Sequence, residues 1–333
     1  MKILFDHSSP FLLARGGVQV QIEETMRALE RARVEVEFVR WWDERQGGDL
    51  IHYFGAIPNS YLTLAYQKKI PVVLTSFFSS TCNRPDSRLR FQGHMVRGLL
   101  ALPGWNSIKA QLQWQAYREA SHLIVGLEAE RKVLQTVYGL PRSKISIVPL
   151  GLDEICLSAK QERRPGTHLI TLGTICPVKR SIELAELARL AEVPILFVGD
   201  PYSTIDPYWE RFKALVDDRF VFHQNHCDDR AAVMNLLSSA RGFVLFSRFE
   251  NWSLAAHEAA ACGLPLLLPL QEWSLECFGD QAHYFGGKAS SSHGKSLRSF
   301  YLNSPTLSSP NIKHHSWTNV AEKLQQLYRK LLD

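Results

Sequence analysis

Several signatures are missing from this 333-residue sequence, and each absence narrows its reading. No apolar run reaches the roughly 18 residues of a membrane-spanning helix. The opening MKILFDHSSP reads as a strand interrupted by Asp6 and His7, which is not the pattern of a signal peptide. The six cysteines, at 82, 156, 176, 227, 262 and 277, form no C-x-x-C pair, so they read as reduced, buried thiols of a cytosolic protein. There is no H-E-x-x-H, no D-x-D and no G-x-G-x-x-G, which argues against a zincin, a metal-held diphosphate and a nicotinamide-binding turn. The segment His223 to Asp229, HQNHCDD, holds metal-ligand residue types, but it falls where a strand ends and a helix begins. No metal and no cofactor are expected.

Charge is sparse and uneven. Between residues 84 and 118 six basic residues (Arg84, Arg88, Arg90, Arg97, Lys109, Arg118) face Asp86 alone, which equals the whole net charge of +5. Phe91, Trp105, Trp114 and Tyr117 share that window. It reads either as a solvated helix face whose aromatics are core or as a surface for peripheral membrane contact or an anionic acceptor. The balance is too mild for a nucleic-acid partner.

With 45% hydrophobic residues, the length suggests two domains, each with its own core. Strands are expected at Lys2–Asp6, Val34–Val39, Asp49–Phe54, Pro71–Thr75, His122–Val125 and Lys144–Val148. Helices are expected near Gly16–Arg31, Tyr61–Lys68, Trp105–Ala120 and Glu128–Tyr138. Glu154 to Gly166 is charged, ends in Pro-Gly and fits a linker. A second series follows, with strands at Leu169–Gly173, Pro194–Gly199, Phe220–His223, Phe243–Phe246 and Pro265–Leu268. Lys288 to Pro310 is Ser-rich and reads as surface loop with one helical turn. The ending SWTNVAEKLQQLYRKLL is an amphipathic helix.

The stretch Gly242 to Leu268 is the most informative. An apolar strand leads into a polar turn, Ser253 is a good N-cap, and Gly263 stops the helix. This is the strand–turn–helix–strand unit of an open parallel sheet, whose ligands sit at the carboxyl ends of the strands. Amide N–H groups from Trp252 to Ala255 favour an anion, and Glu250 and Glu258 flank them with seven residues between. A carboxylate accepts hydrogen bonds from sugar hydroxyls and suits phosphate poorly. The ligand that satisfies both demands is a phosphate bordered by hydroxyl-bearing rings, whereas two solvated glutamates on an ordinary helix fit the spacing equally well.

FENWSLAAHEAAACGLPLL is similar to the E-x7-E signature of retaining glycosyltransferases with the GT-B fold, most of all glycosyltransferase family 4. Glu250, Leu254, Glu258, Ala259, Ala261, Gly263 and Pro265 stand in step with it, and Asn251, Trp252 and Ser253 replace the middle of the turn. The family's G-R-x-x-x-x-K-G segment corresponds to Gly173 through Arg180, where Lys179 matches the Lys and Thr174 stands for the Arg. Pro149-Leu150-Gly151-Leu152-Asp153 matches the family's P-N-G-V-D without its Asn. Thr75-Ser76-Phe77 lacks the His of the family's T-x-H.

The resemblance implies an α/β protein of GT-B type: two Rossmann-like doubly wound domains, 1–155 and 167–312, facing across a cleft, with helix 313–333 crossing back to the N-terminal domain. It implies retaining transfer of a hexose from a UDP- or GDP-sugar to a glycan, lipid or small-molecule acceptor. Glu250 and Lys179 are the expected catalytic residues. Gly16, Gly17, Gln19, Thr174, Trp252, Ser253, Leu254 and Glu258 are the expected donor-binding residues, with Glu250 on the donor sugar and Glu258 on the ribose. Lys179, the Ser253 helix start and the Gly16-Gly17 loop supply fixed charge and dipoles where a metal would otherwise serve. A non-catalytic nucleotide-sugar or glycan-binding protein and a GT-B sugar-nucleotide epimerase are the alternatives.

Overall fold

Two six-stranded, all-parallel sheets carry the chain in this computed structural model, which describes residues 1–12, 16–104, 114–158, 166–287 and 290–333. The chain divides into two units. Met1–Gly151 and Trp317–Asp333 form the first, and Leu152–Ser316 forms the second.

In unit 1 the strands are β1 (Lys2–His7), β2 (Glu35–Phe38), β3 (Leu50–Phe54), β4 (Val72–Thr75), β5 (His122–Val125) and β6 (Ile145–Ile147). Their order is β2-β1-β3-β4-β5-β6. Every residue of β3, β4 and β5 is buried, which is why these strands are nearly continuous apolar runs. Helices pack on the sheet and close a core that includes Leu74, Leu123, Val133 and Val137. The terminal helix Trp317–Leu332 belongs to this unit and lies against helix Gly17–Arg31. It buries Val320, Leu324 and Tyr328. The Tyr328 hydroxyl meets His52 Nδ1 at 2.6 Å, and His52 Nε2 meets Thr75 Oγ1 at 2.6 Å. A buried polar chain thus ties the last helix to β3 and β4, and the crossing back of the C-terminal helix holds.

Unit 2 has β7 (Leu169–Leu172), β8 (Ile195–Val198), β9 (Val221–Gln224), β10 (Gly242–Val244), β11 (Leu266–Leu268) and β12 (His283–Tyr284), ordered β12-β11-β10-β7-β8-β9. This is the doubly wound order in which the first and fourth strands lie side by side. The crevice at their carboxyl ends is the natural ligand site of such a sheet.

Three segments differ from the sequence reading. The Ser-rich stretch expected as loop contains a 14-residue helix, Ser290–Asn303. Burial of Leu297 and Phe300 against helix Ser181–Leu190 outweighs its poor helix propensity. Helix Asp86–Ala101 also goes unread, because its apolar face is thin and Gly93 and Gly98 interrupt it. Gly93 lets this helix approach Glu128–Tyr138, since a Cβ there would lie 2.4 Å from the Thr136 carbonyl oxygen. The expected linker begins as a short helix, Glu154–Ser158. Its remainder, 159–165, lies outside the described residues, as do Trp105 and Lys109 and the first part of the helix expected over 105–120. In the basic window, Tyr117 packs between Phe78 and Tyr138 as core, while Phe91 is exposed.

Candidate functional site

The sheet of unit 2 reverses its winding between β7 and β10, and the loops leaving those two strands carry the expected catalytic pair. Beyond β7 the chain turns tightly, with Lys179 N–H on the Cys176 carbonyl at 3.1 Å and Arg180 N–H on the Pro177 carbonyl at 3.2 Å. Beyond β10, Arg248 N–H donates to the Val178 carbonyl at 2.8 Å and ties the two loops together. Lys179 Nζ then donates to Glu250 Oε1, and the Ser247 hydroxyl donates to the same oxygen at 3.1 Å. Glu250 is buried, and Lys179 keeps 30% of its side chain exposed. Burial pushes the Lys179 ammonium down, but the Glu250 carboxylate more than offsets this and holds it above the usual lysine range.

Thr174 sits beside this pair. Gly173, Thr174, Ile175, Lys179 and Leu245 line one small cleft. Gly199 brings the exits of β7 and β8 together, backbone to backbone, because a Cβ there would lie 2.2 Å from the Gly173 oxygen. Arg180, the residue after Lys179, is engaged by other groups. It adopts φ 54° at the start of the next helix, lies 4.1 Å over the Phe246 ring and reaches Glu183 at 3.3 Å.

The helix after β10 spans Leu254–Ala261, and the Ser253 hydroxyl caps it by accepting from Ala256 N–H at 3.3 Å. Gly263, at φ +80°, ends it. Leu264 N–H reaches back to the Ala259 carbonyl at 3.0 Å, the bond of a glycine-terminated helix. Trp252 lies flat on His257, with ring centres 3.5 Å apart and planes 7° apart. His257 Nδ1–H donates to the Ser253 carbonyl at 2.9 Å, so one buried histidine fixes both the cap and the indole.

Burial lowers the His257 pKa to about 3, and it lowers that of His52 in unit 1 to about 3 as well. Both pKa values are depressed on folding. Above pH 6.5 the two rings are neutral in the folded and unfolded chains alike. As the pH falls below 6.5 the unfolded chain takes up protons that the folded chain refuses until about pH 3, so stability is lost across that window. Between pH 7 and pH 5 each ring is expected to cost about 2 kcal/mol. Urea melts at the two pH values check this, and His257→Asn should remove about 2 kcal/mol of the difference.

Glu258 is 6% exposed and accepts from Arg230 Nη2, while Arg230 Nε donates to Asp153 Oδ2 at 2.6 Å. Burial pushes the Glu258 carboxyl up against the opposing pull of Arg230. The sequence reading missed Arg230. A signal for it existed: Arg230 opens a helix capped by Asp229, where the dipole disfavours a cation, so nearby carboxylates were needed to hold it.

Gly16, Gly17 and Gln19 lie in unit 1. A Cβ added at Gly16 or Gly17 would meet nothing within 4 Å, and Gln19 donates to Glu23 at 2.8 Å. His226 pairs with Asp228 at 3.0 Å. No cluster of three or more His, Cys, Asp or Glu able to hold a metal occurs among the described residues. None of their helices is long and apolar enough to cross a membrane.

Residues 37–154 match the family model described as Glycosyltransferase Family 4. Over its full length the chain superposes on sucrose-phosphate synthase from Thermosynechococcus elongatus, with TM-score 0.67, 15% identity and 99% of both chains covered. The chain is a GT-B protein that resembles glycosyltransferase family 4. A second GT-B structure, Anabaena HepE in complex with UDP-glucose, superposes with TM-score 0.63 and 14% identity over 100% of this chain and 96% of that one. The D-inositol 3-phosphate glycosyltransferase of Mycolicibacterium smegmatis is 29% identical to this GT-B protein over 175 residues. That match takes in 48% of the chain and only 40% of the relative's length.

Proposed function

We propose that this GT-B protein moves a hexose from a UDP- or GDP-sugar to an acceptor hydroxyl, with retention of anomeric configuration and without a metal. The observation that carries this reading is the Lys179–Glu250 pair at the switch point of the unit 2 sheet, beside the capped start of helix Leu254–Ala261. The UDP-glucose held by the HepE structure makes UDP the first nucleotide to test.

In this mechanism the donor diphosphate takes up the Lys179 ammonium and the amide N–H groups at the helix start. Glu250, released from the lysine, accepts hydrogen bonds from the donor sugar. Glu258, oriented by Arg230, accepts from the ribose. The bond between the anomeric carbon and the diphosphate oxygen breaks as the acceptor oxygen bonds to that carbon on the same face. The acceptor proton passes to the departing diphosphate, whose negative charge Lys179 and the helix dipole stabilise. Residues of unit 1 select the acceptor.

A thermal-shift series with UDP, GDP, ADP and their sugars tests the reading. One nucleotide class should raise the melting temperature with EDTA present, by the equivalent of about 2.7 kcal/mol at 100 times its dissociation constant. Donor turnover should disappear in Glu250→Ala. Silence from every nucleotide, or a shift that EDTA abolishes, contradicts the metal-free account. A non-catalytic nucleotide-sugar-binding protein is the second reading, favoured by the ion pairs that engage both glutamates and by Thr174 and Phe77 at the positions of the family's Arg and His. It predicts binding without turnover in the wild type and in Glu250→Ala alike. An epimerase would instead form the epimer of the donor with no acceptor present.

A further inference from the structure

Unit 1 has a switch point of its own. Its order, β2-β1-β3-β4-β5-β6, reverses between β1 and β3, so the crevice beyond their carboxyl ends is the place where this sheet would hold a ligand. Asp6 stands at that end of β1 and is buried. Its carboxylate accepts from the Tyr61 hydroxyl at 2.9 Å and from His7 N–H at 2.8 Å. The Tyr61 ring meets Trp41 at 6.1 Å and 62°, which fixes the plane of the indole from the side.

Trp41 nevertheless remains 73% exposed, and Trp42 beside it is 83% exposed. Two adjacent exposed tryptophans, one of them packed against the Tyr61 ring that Asp6 holds, form a surface kept out of the core. An apolar patch maintained in this way marks a binding surface. With Asp43, Glu44 and Arg45 the two indoles line an open concavity.

The charges around the patch decide what it takes. Arg40 is matched by Glu37 at 2.7 Å and Asp43 at 2.9 Å, and Arg45 stands next to Glu44. No surplus of positive charge is left to draw an anionic membrane or a phosphorylated ligand. An exposed aromatic face rimmed by three carboxylates and two guanidiniums, with no cationic surplus, suits a neutral polyhydroxylated ring, whose C–H face lies on the indole while its hydroxyls reach the rim.

We infer that Trp41 and Trp42 form a stacking platform for a neutral sugar ring, and that the acceptor of this GT-B protein is a glycan. That the bound sugar is an acceptor rests on the transferase reading above. The platform itself rests on unit 1 alone.

Saturation-transfer NMR of the full chain with maltotriose, mannotriose and cellotriose tests the inference. At least one trisaccharide should bind, with saturation strongest at its ring C–H protons. Trp41→Ala should weaken binding about tenfold, and Trp41→Phe should restore much of the loss. Because Trp41 is mostly exposed, both variants should fold, and an unchanged nucleotide-induced thermal shift would confirm it. If all three sugars fail to bind, or if Trp41→Ala binds as well as the wild type, the inference is wrong. It is also wrong if the Trp41-dependent partner proves to be vesicles of phosphatidylglycerol and phosphatidylcholine. A nucleotide shift without trisaccharide binding overturns the platform and leaves the transferase reading standing. Trisaccharide binding without any nucleotide shift overturns the transferase reading and leaves a carbohydrate-binding surface.

Discussion

Lys179→Ala is expected to lower kcat by about 10²–10³-fold, equivalent to about 3–4 kcal/mol of transition-state stabilisation. The lysine is the cation at the switch-point crevice that touches Glu250, and Arg180 beside it is spent on Phe246 and Glu183. In the proposed reaction the ammonium meets more negative charge in the transition state than in the bound donor, so kcat should fall more than KM rises. Lys179→Arg should retain part of the rate, because the charge remains while its geometry changes. Initial rates of donor turnover in the three proteins check this. A Lys179→Ala enzyme within a few-fold of wild type would remove the lysine from the mechanism.

Arg230→Ala is expected to destabilise unit 2 by roughly 2–3 kcal/mol, below the range for a fully buried pair because solvent screens part of the interaction. Glu258 has 8% of its side chain exposed and Arg230 38%, so the loss falls chiefly on the carboxylate left behind in the interior. For a unit of this size the melting temperature should drop by roughly 5–10 °C. Since the strain comes from the orphaned charge, Arg230→Met combined with Glu258→Leu should recover most of the loss. If the double variant melts as low as Arg230→Ala, packing rather than charge explains Arg230. In the proposed function Arg230→Ala also frees the Glu258 carboxylate from its fixed orientation, so nucleotide affinity should fall along with stability.

Legibility in the sequence followed the range of the forces involved. The strand, turn and helix around Glu250 were readable because each signal is local. Phe243 to Phe246 are apolar in a row, Ser253 caps through a residue three positions away, and Gly263 adopts the left-handed turn that ends the helix. The helices Asp86–Ala101 and Ser290–Asn303 were not readable, because glycines and serines make them poor helices in isolation. Leu89, Val96, Leu297 and Phe300 nonetheless find a core to bury in. A few apolar anchors docked on a finished sheet outweigh weak propensity, and a linear pattern does not show where the sheet will be.

The candidate site divides in the same way. From the residues alone came two α/β series and the E-x7-E run with its capped helix, and from the family resemblance came Lys179 as an expected partner of a diphosphate; its pairing with Glu250 came from the fold. These depend on periodicity, on capping and on motif register, all of which are carried by short stretches of chain. Folding alone brought Arg230 to Glu258 across 28 positions and to Asp153 across 77, and set Tyr328 on His52 across 276. It also set Trp41 against Tyr61 and the Tyr61 hydroxyl on the carboxylate of Asp6. Such pairs answer the cost of burying a charge or a polar ring, and that cost arises only once the chain path has taken the group away from water.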